Sequence, residues 1–123
     1  MKRIMIVEDE IALRTVYSML FKKQGFKVHE VMNGKDALEA LDKARPDIIL
    51  LDILMPIMSG IEFLEQAKLK QRYPGTKVLV LSNLSDPKTL NDIYKLGADQ
   101  YVLKASVSPK ALLECVESLL KTA

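Results

Sequence analysis

Four short, uninterrupted apolar runs recur along the chain: Ile4-Met5-Ile6-Val7, Ile48-Ile49-Leu50-Leu51, Val78-Leu79-Val80-Leu81 and Tyr101-Val102-Leu103. A strand that is apolar on both sides must be covered on both sides, as in a parallel sheet packed between helices. A fifth candidate, Lys27-Val28-His29-Glu30-Val31, is more polar and suits a sheet edge. Helical periodicity fills the intervals. Leu13, Val16, Tyr17 and Leu20 form one stripe, with Gly25 where a helix can stop. Ala37, Leu38, Leu41 and Ala44 form a second, closed by Pro46. Phe63, Leu64 and Ala67 belong to a third, ended by Tyr73-Pro74-Gly75, and Leu90, Ile93 and Tyr94 mark a fourth that ends at Gly97. Ser108 and Pro109 suit the cap and first turn of a last helix, whose inner face is Leu112, Cys115, Val116 and Leu119. Strand and helix thus alternate five times with no linker and no repeat. The expectation is one domain over residues 1–123, an α/β fold with a doubly wound parallel sheet.

In such folds ligands gather beyond the carboxyl ends of the strands. The first run is followed by Glu8-Asp9 and then Glu10, the third strand by Asp52, the fourth by Ser82 and the fifth by Lys104. Crowded carboxylates repel one another and raise their pKa values unless a cation sits among them. Oxygen donors without a nearby His or Cys favour a hard ion, and a site with open positions for water and phosphate favours Mg²⁺ over Ca²⁺. With a metal present the set reads as a phosphoryl-transfer site. A carboxylate serves as nucleophile, Lys104 and the metal neutralise phosphoryl charge, and Ser82 donates a hydrogen bond. Each residue alone has an ordinary reading, an Asp after a strand being most often a turn or cap residue. Their convergence on one rim carries the inference.

Glu8-Asp9, Leu50-Leu51-Asp52-Ile53-Leu54-Met55-Pro56 with Gly60, Leu81-Ser82 and Lys104 together resemble the receiver domain of two-component response regulators. The similarity runs from the first strand to the last helix, and Asp-x-x-Met-Pro-x-x-x-Gly at 52–60 is its most specific part. It implies a flavodoxin-like (βα)5 fold with strand order 2-1-3-4-5. It implies that Asp52 accepts a phosphoryl group from a histidine kinase, a phosphotransfer protein or a small phosphodonor. Asp9 and Asp52 would hold Mg²⁺ directly with the Leu54 carbonyl, and Glu8 mainly through a water. Ser82 and Tyr101 match the switch pair, the hydroxyl moving toward the phosphoryl group and the ring turning inward behind it. An added charge of about −2 creates new charge-assisted bonds and biases the face made by the fourth helix, fifth strand and last helix toward a downstream protein target. A phosphorylation-dependent homodimer through that face is compatible with this role, which is that of a signalling phosphoacceptor and not an enzyme.

Three positions depart from the family pattern. Most members follow the lysine with proline, often in a cis bond, whereas Ala105 follows Lys104 here. A cis bond without proline costs about 3–4 kcal/mol, so either a trans bond with a reshaped loop or a strained cis bond is expected. Leu54 and Leu84, two residues after Asp52 and Ser82, offer no hydrogen bond to an attacking water, which points to a long-lived phosphoryl group.

Composition supports a cytoplasmic protein and excludes several classes. The net charge of +2, from 18 basic and 16 acidic residues, gives no basic patch for nucleic acid or an anionic membrane. Cys115 has no partner for an internal disulfide, no signal peptide fits the first residues, and no run is long enough to span a bilayer. A haloacid-dehalogenase-type enzyme would want a second Asp where Leu54 stands. A flavodoxin-like cofactor site would want Ser, Thr and Gly where Glu8-Asp9-Glu10 would repel phosphate, and no Gly-x-Gly-x-x-Gly supports a dinucleotide. A degenerate receiver acting as a phosphorylation-independent interaction module is the remaining alternative, kept open by Ala105. His29 is read as a solvated edge-strand residue, Cys115 as a small core hydrophobe, Met55 and Met58 as cover, and Leu113 as a candidate partner contact. The sequence ends at Lys121-Thr122-Ala123, after the last helix, which fits a stand-alone receiver and a segment of a longer regulator equally well.

Overall fold

Five parallel strands build one sheet in the order β2-β1-β3-β4-β5 in the computed structural model, which describes residues 1–122. They are β1 (Arg3–Val7), β2 (Lys27–Val31), β3 (Ile48–Leu51), β4 (Lys77–Ser82) and β5 (Gln100–Leu103). The helical segments are α1 (Ile11–Lys23), α2 (Gly34–Ala44), α3 (Gly60–Ala67), α4 (Leu69–Arg72), α5 (Pro87–Lys95) and α6 (Pro109–Lys121). This is the doubly wound fold the sequence predicts, with the polar strand β2 at one edge and β5 at the other.

Successive side chains of a strand point to opposite faces, and that alternation divides the core in two. Met5, Val7, Ile49, Leu51, Val78 and Val80 meet Ala37 and Leu41 of α2, Phe63 and Leu64 of α3 and Ile93 of α5. Ile4, Ile6, Ile48, Leu50, Leu79 and Leu81 meet Tyr17 and Phe21 of α1 and Leu112 and Val116 of α6. Both faces of the central strands are therefore dry, which explains the unbroken apolar runs. Side-chain caps start most of the helices. Asn33, Ser59, Asp86 and Ser108 accept from the backbone N–H groups of Asp36, Glu62, Thr89 and Ala111, and Ser59 and Glu62 complete a reciprocal capping box.

Some details differ from the periodic reading. Val16 is 48% exposed and Tyr94 is 46% exposed, whereas Phe21 is fully buried. On α1 the inner stripe therefore runs Leu13, Tyr17, Leu20 and Phe21, without Val16. The third helix breaks at Lys68, which takes a left-handed conformation (φ 49°). An unbroken helix would carry Lys70 and Gln71 inward after Ala67. The left-handed residue redirects the chain so that Leu69 and Tyr73 return to the core. Leu113 is half-buried against the α1/α6 core, and Cys115 is half-buried beside it. On the opposite end of the sheet from the strand carboxyl ends, the guanidinium groups of Arg45 and Arg72 both lie over the Tyr73 ring (5.5 and 5.3 Å). Its hydroxyl donates to Asp42.

Gly60 sets how closely α3 approaches the end of β3. Its N–H donates to the Ile53 carbonyl (2.9 Å), and an added Cβ would run into the Asp52 carbonyl oxygen. The obstacle is backbone, so it cannot turn aside. Gly60→Ala is expected to destabilise the chain by about 2–3 kcal/mol, read as a lower midpoint in urea; an unchanged midpoint would contradict this packing.

Candidate functional site

Parallel register puts the candidate residues together. Val7 pairs with Leu51, so Glu8 and Asp52 leave adjacent strands at the same level. The ladder continues one step past the strands: the Asp52 N–H donates to the Val7 carbonyl and the Glu8 N–H to the Val31 carbonyl, both at 3.1 Å. Ser82 pairs with Leu103, and the Lys104 N–H donates to the Ser82 carbonyl (2.9 Å). Glu8, Asp9, Asp52, Leu54, Ser82, Asn83 and Lys104 then line one cleft on the rim. Among the described residues, Glu8, Asp9 and Asp52 can bring one carboxylate oxygen each to within 4.8 Å of one another.

Lys104 holds the buried pair. Its Nζ lies 2.7 Å from Glu8 Oε1 and 3.2 Å from Asp52 Oδ2. Glu8 is 2% exposed and Asp52 is 7% exposed, so both charges sit largely out of water. Burial pushes both carboxyl groups up from their ordinary pKa values. In Glu8 the Lys104 hydrogen bond and the Glu10 N–H oppose this, and in Asp52 the Lys104 charge and hydrogen bond oppose it. Burial works to lower the Lys104 ammonium, but its contacts with Glu8 and Asp52 outweigh that and hold it above the usual lysine value. Asp52 Oδ1 accepts the Ile53 N–H (2.8 Å), and Glu8 Oε2 accepts the Glu10 N–H (3.0 Å). Two buried carboxylates thus share a single ammonium, with the exposed carboxylate of Asp9 close to both. An all-oxygen cluster with that excess of negative charge fits a hard divalent ion.

Around this centre the other expected residues fall into place unevenly. Ser82 is buried, and its Oγ lies 3.4 Å from the Leu84 N–H. The half-buried Tyr101 hydroxyl shares its proton between the carbonyls of Ser82 (2.9 Å) and Leu84. Leu54 is 62% exposed at the rim of the cleft, while Leu84 is half-buried against the α2–α5 core. Met55 and Met58 pack as cover on that same core, and His29 is exposed on β2. The Lys104–Ala105 peptide is trans, the first of the two expected outcomes.

Sequence reasoning missed Arg14. Its Nη1 donates to the Glu8 carbonyl (2.8 Å), and its Nε faces Glu30 (3.4 Å), which the Ser18 hydroxyl also holds (2.9 Å). Arg14 thereby pins the backbone of the acidic pair from the α1 side. The signal is an opposite charge on β2, legible only once β1 and β2 are known to be neighbours.

The parallel order 2-1-3-4-5, with acids, a hydroxyl and a lysine on its carboxyl rim, places the molecule among the flavodoxin-like α/β domains. Comparison with known proteins narrows that class to one family. The model of the response regulator receiver domain matches residues 4–117, and the chain belongs to that family. It is 34% identical to the chemotaxis protein CheY of Listeria monocytogenes over 122 residues, 98% of this chain and all of that protein. It is 38% identical over 117 residues to the transcriptional regulatory protein DegU of Brevibacillus brevis, covering 94% of this chain and 48% of the relative. The structure of a CheY-like receiver domain protein from Methanospirillum hungatei superposes with a TM-score of 0.90 at 28% identity, covering 98% of this chain and 94% of the other. The family serves two-component phosphorelay signalling, and its members are signalling domains. Among the described residues no helix is long and apolar enough to cross a membrane.

The shared ammonium has a consequence for stability. A folded carboxyl with a raised pKa still binds a proton that the unfolded chain has released, so rising pH through that interval destabilises the fold. Asp52→Asn removes one buried charge and leaves Lys104 fully to Glu8. In magnesium-free buffer at pH 7 the variant is expected to be more stable by on the order of 1 kcal/mol, the gain fading as acid protonates the parent. Thermal melts across pH would show it; a variant no more stable than the parent at pH 7 would refute it.

Proposed function

We propose that this single receiver domain accepts a phosphoryl group on Asp52 from a histidine kinase, a phosphotransfer protein or a small phosphodonor, in a reaction that needs Mg²⁺. The observation that carries this reading is the Lys104 ammonium lodged between Glu8 and Asp52, beside Asp9. Asp52 Oδ1 is engaged by the Ile53 N–H, while Oδ2 faces Lys104. Oδ2 is the nucleophile. It bonds to phosphorus as the bond to the donor breaks, and the electron pair leaves on the donor nitrogen or oxygen. Lys104 stays beside that oxygen and offsets the negative charge that builds on the phosphoryl group. Glu8, Asp9, Asp52 and the Leu54 carbonyl would hold the Mg²⁺, which supplies charge neutralisation at the phosphoryl oxygens.

Ser82 and Tyr101 carry the change outward. In this structure the Tyr101 hydroxyl is tethered to the loop that follows Ser82. A Ser82 hydroxyl drawn toward the phosphoryl group moves that loop, and the ring must follow. The surface that responds is α5, β5 and α6, where Tyr94 and Leu103 are exposed. A downstream protein, or a second copy of the phosphorylated chain, would bind there. The two ends of one tether thus link chemistry to recognition.

Incubation with acetyl phosphate and Mg²⁺ followed by intact-mass measurement should add one phosphoryl group to the parent and none to Asp52→Asn. An unmodified parent, or an equally modified variant, would sink the assignment. The lifetime of the product turns on Leu54, which lines the open cleft, more than on the half-buried Leu84. Leu54→Asn, which can hold a water, is expected to hasten loss of the phosphoryl group about tenfold; decay at the parental rate or slower would argue against this role.

A further inference from the structure

The loop after β5 makes one contact that a proline at residue 105 would forbid. Two consecutive amides of this loop are held by the end of β4. The Lys104 N–H donates to the Ser82 carbonyl (2.9 Å), and the Ala105 N–H donates to the side-chain oxygen of Asn83 (2.8 Å). The first bond extends the β4–β5 ladder by one step. The second needs an N–H at residue 105, and proline has none. Asn83 itself lines the cleft with Ser82, Asp52 and Lys104.

We propose that Asn83 is a positioning residue for Lys104: by holding the Ala105 amide it fixes the base from which the lysine reaches Glu8 and Asp52. This rests on the phosphoacceptor reading above and adds to it a pair of residues which that reading does not use. The physical need is plain. A lysine side chain is a flexible four-carbon stem, and its tip finds two carboxylates reproducibly only if its root is fixed. Lys104 is followed by a residue with ordinary backbone freedom, so the restraint that a ring would give must come from elsewhere. A hydrogen bond from the neighbouring loop gives it. The same bond joins the residue after Ser82, the last of β4, to the loop that carries Lys104, so the two groups that meet the phosphoryl oxygens move as one body. The bond is exposed, so its loss should disturb the lysine far more than the fold.

A double-mutant cycle tests this with the parent, Asn83→Ala, Ala105→Pro and the double variant. Each is phosphorylated by acetyl phosphate at saturating Mg²⁺ and followed by intact mass, alongside Mg²⁺ titration and thermal melts. Asn83→Ala is expected to slow phosphorylation about fivefold, the rate equivalent of one ordinary hydrogen bond. Mg²⁺ affinity and melting temperature should stay near parental values, because the metal-holding carboxylates come from β1 and β3. General loosening would lower all three and would overturn the proposal. On the Ala105→Pro background, where no N–H remains, Asn83→Ala should change the rate by less than about 1.5-fold. Equal slowing on both backgrounds would mean that Asn83 acts on the reacting groups directly, and no slowing on either would mean that it does not act; both overturn the proposal. Amide exchange at Ala105, which needs no phosphorylation, separates the two layers. Exchange that Asn83→Ala leaves unchanged defeats the clasp even where Asp52 is phosphorylated normally. A protected Ala105 amide in a chain that takes up no phosphoryl group defeats the phosphoacceptor reading, and the role of Asn83 with it.

Discussion

The pairing of β1 with β3 is the constraint on which the rest depends. Val7 opposite Leu51 obliges the next residues, Glu8 and Asp52, to emerge side by side at the edge of a dry core. Neither carboxylate has enough water to be comfortable as a charge; Asp52 worsens the position of Glu8, and Asp9 that of Asp52. The fold answers with one ammonium from the far side of the sheet. Lys104 can reach them only because β4 and β5 continue the same parallel order and end at the same rim. A site with more negative charge than its own lysine can balance suits a hard cation, which is the basis of the function proposed above. The sheet therefore does not merely carry the site; its register creates the electrostatic imbalance that gives the site a use.

Much of this was legible in the sequence, because the signals were local or were repeated at strand ends. Unbroken runs such as Ile48-Ile49-Leu50-Leu51 announce strands covered on both faces, and Ser108-Pro109 announces a helix start. The residues after each run fall on one rim whatever the strand order, since all strands are parallel. What escaped was decided by neighbours distant in sequence. Val16 looks inward by periodicity, yet the sheet beneath α1 accepts Leu13, Tyr17 and Phe21. The break at Lys68 follows from where Leu69 and Tyr73 must go, and nothing at Lys68 itself announces it. Arg14 needs Glu30 on the adjacent strand, and Asn83 needs an amide 22 positions away. A substitution that looked like a weakness, Ala105 in place of proline, gained its meaning only beside Asn83.

The two faces of the sheet are unequal. One is covered by α1 and α6, and the other by α2, α3, α4 and α5. By strand alternation Glu8 and Asp52 share the face of Ile6 and Leu50, under α1 and α6, which is why Arg14 of α1 can hold the Glu8 carbonyl. Tyr101, bound to the loop after Ser82, packs against the other core. The rim is thus tied to both layers by different contacts, to α1 by way of Arg14 and to the core under α5 by way of Tyr101.

The polar edge strand β2 limits the company the molecule can keep. Lys27, His29 and Glu30 are exposed along it, so another chain seeking to extend the sheet there would have to strip water from mixed charges for the sake of a few backbone bonds. That flank is guarded against runaway strand addition and amyloid-like stacking. The self-association proposed above would then fall to the opposite flank, where a reversible chemical mark, more than concentration alone, would govern its extent.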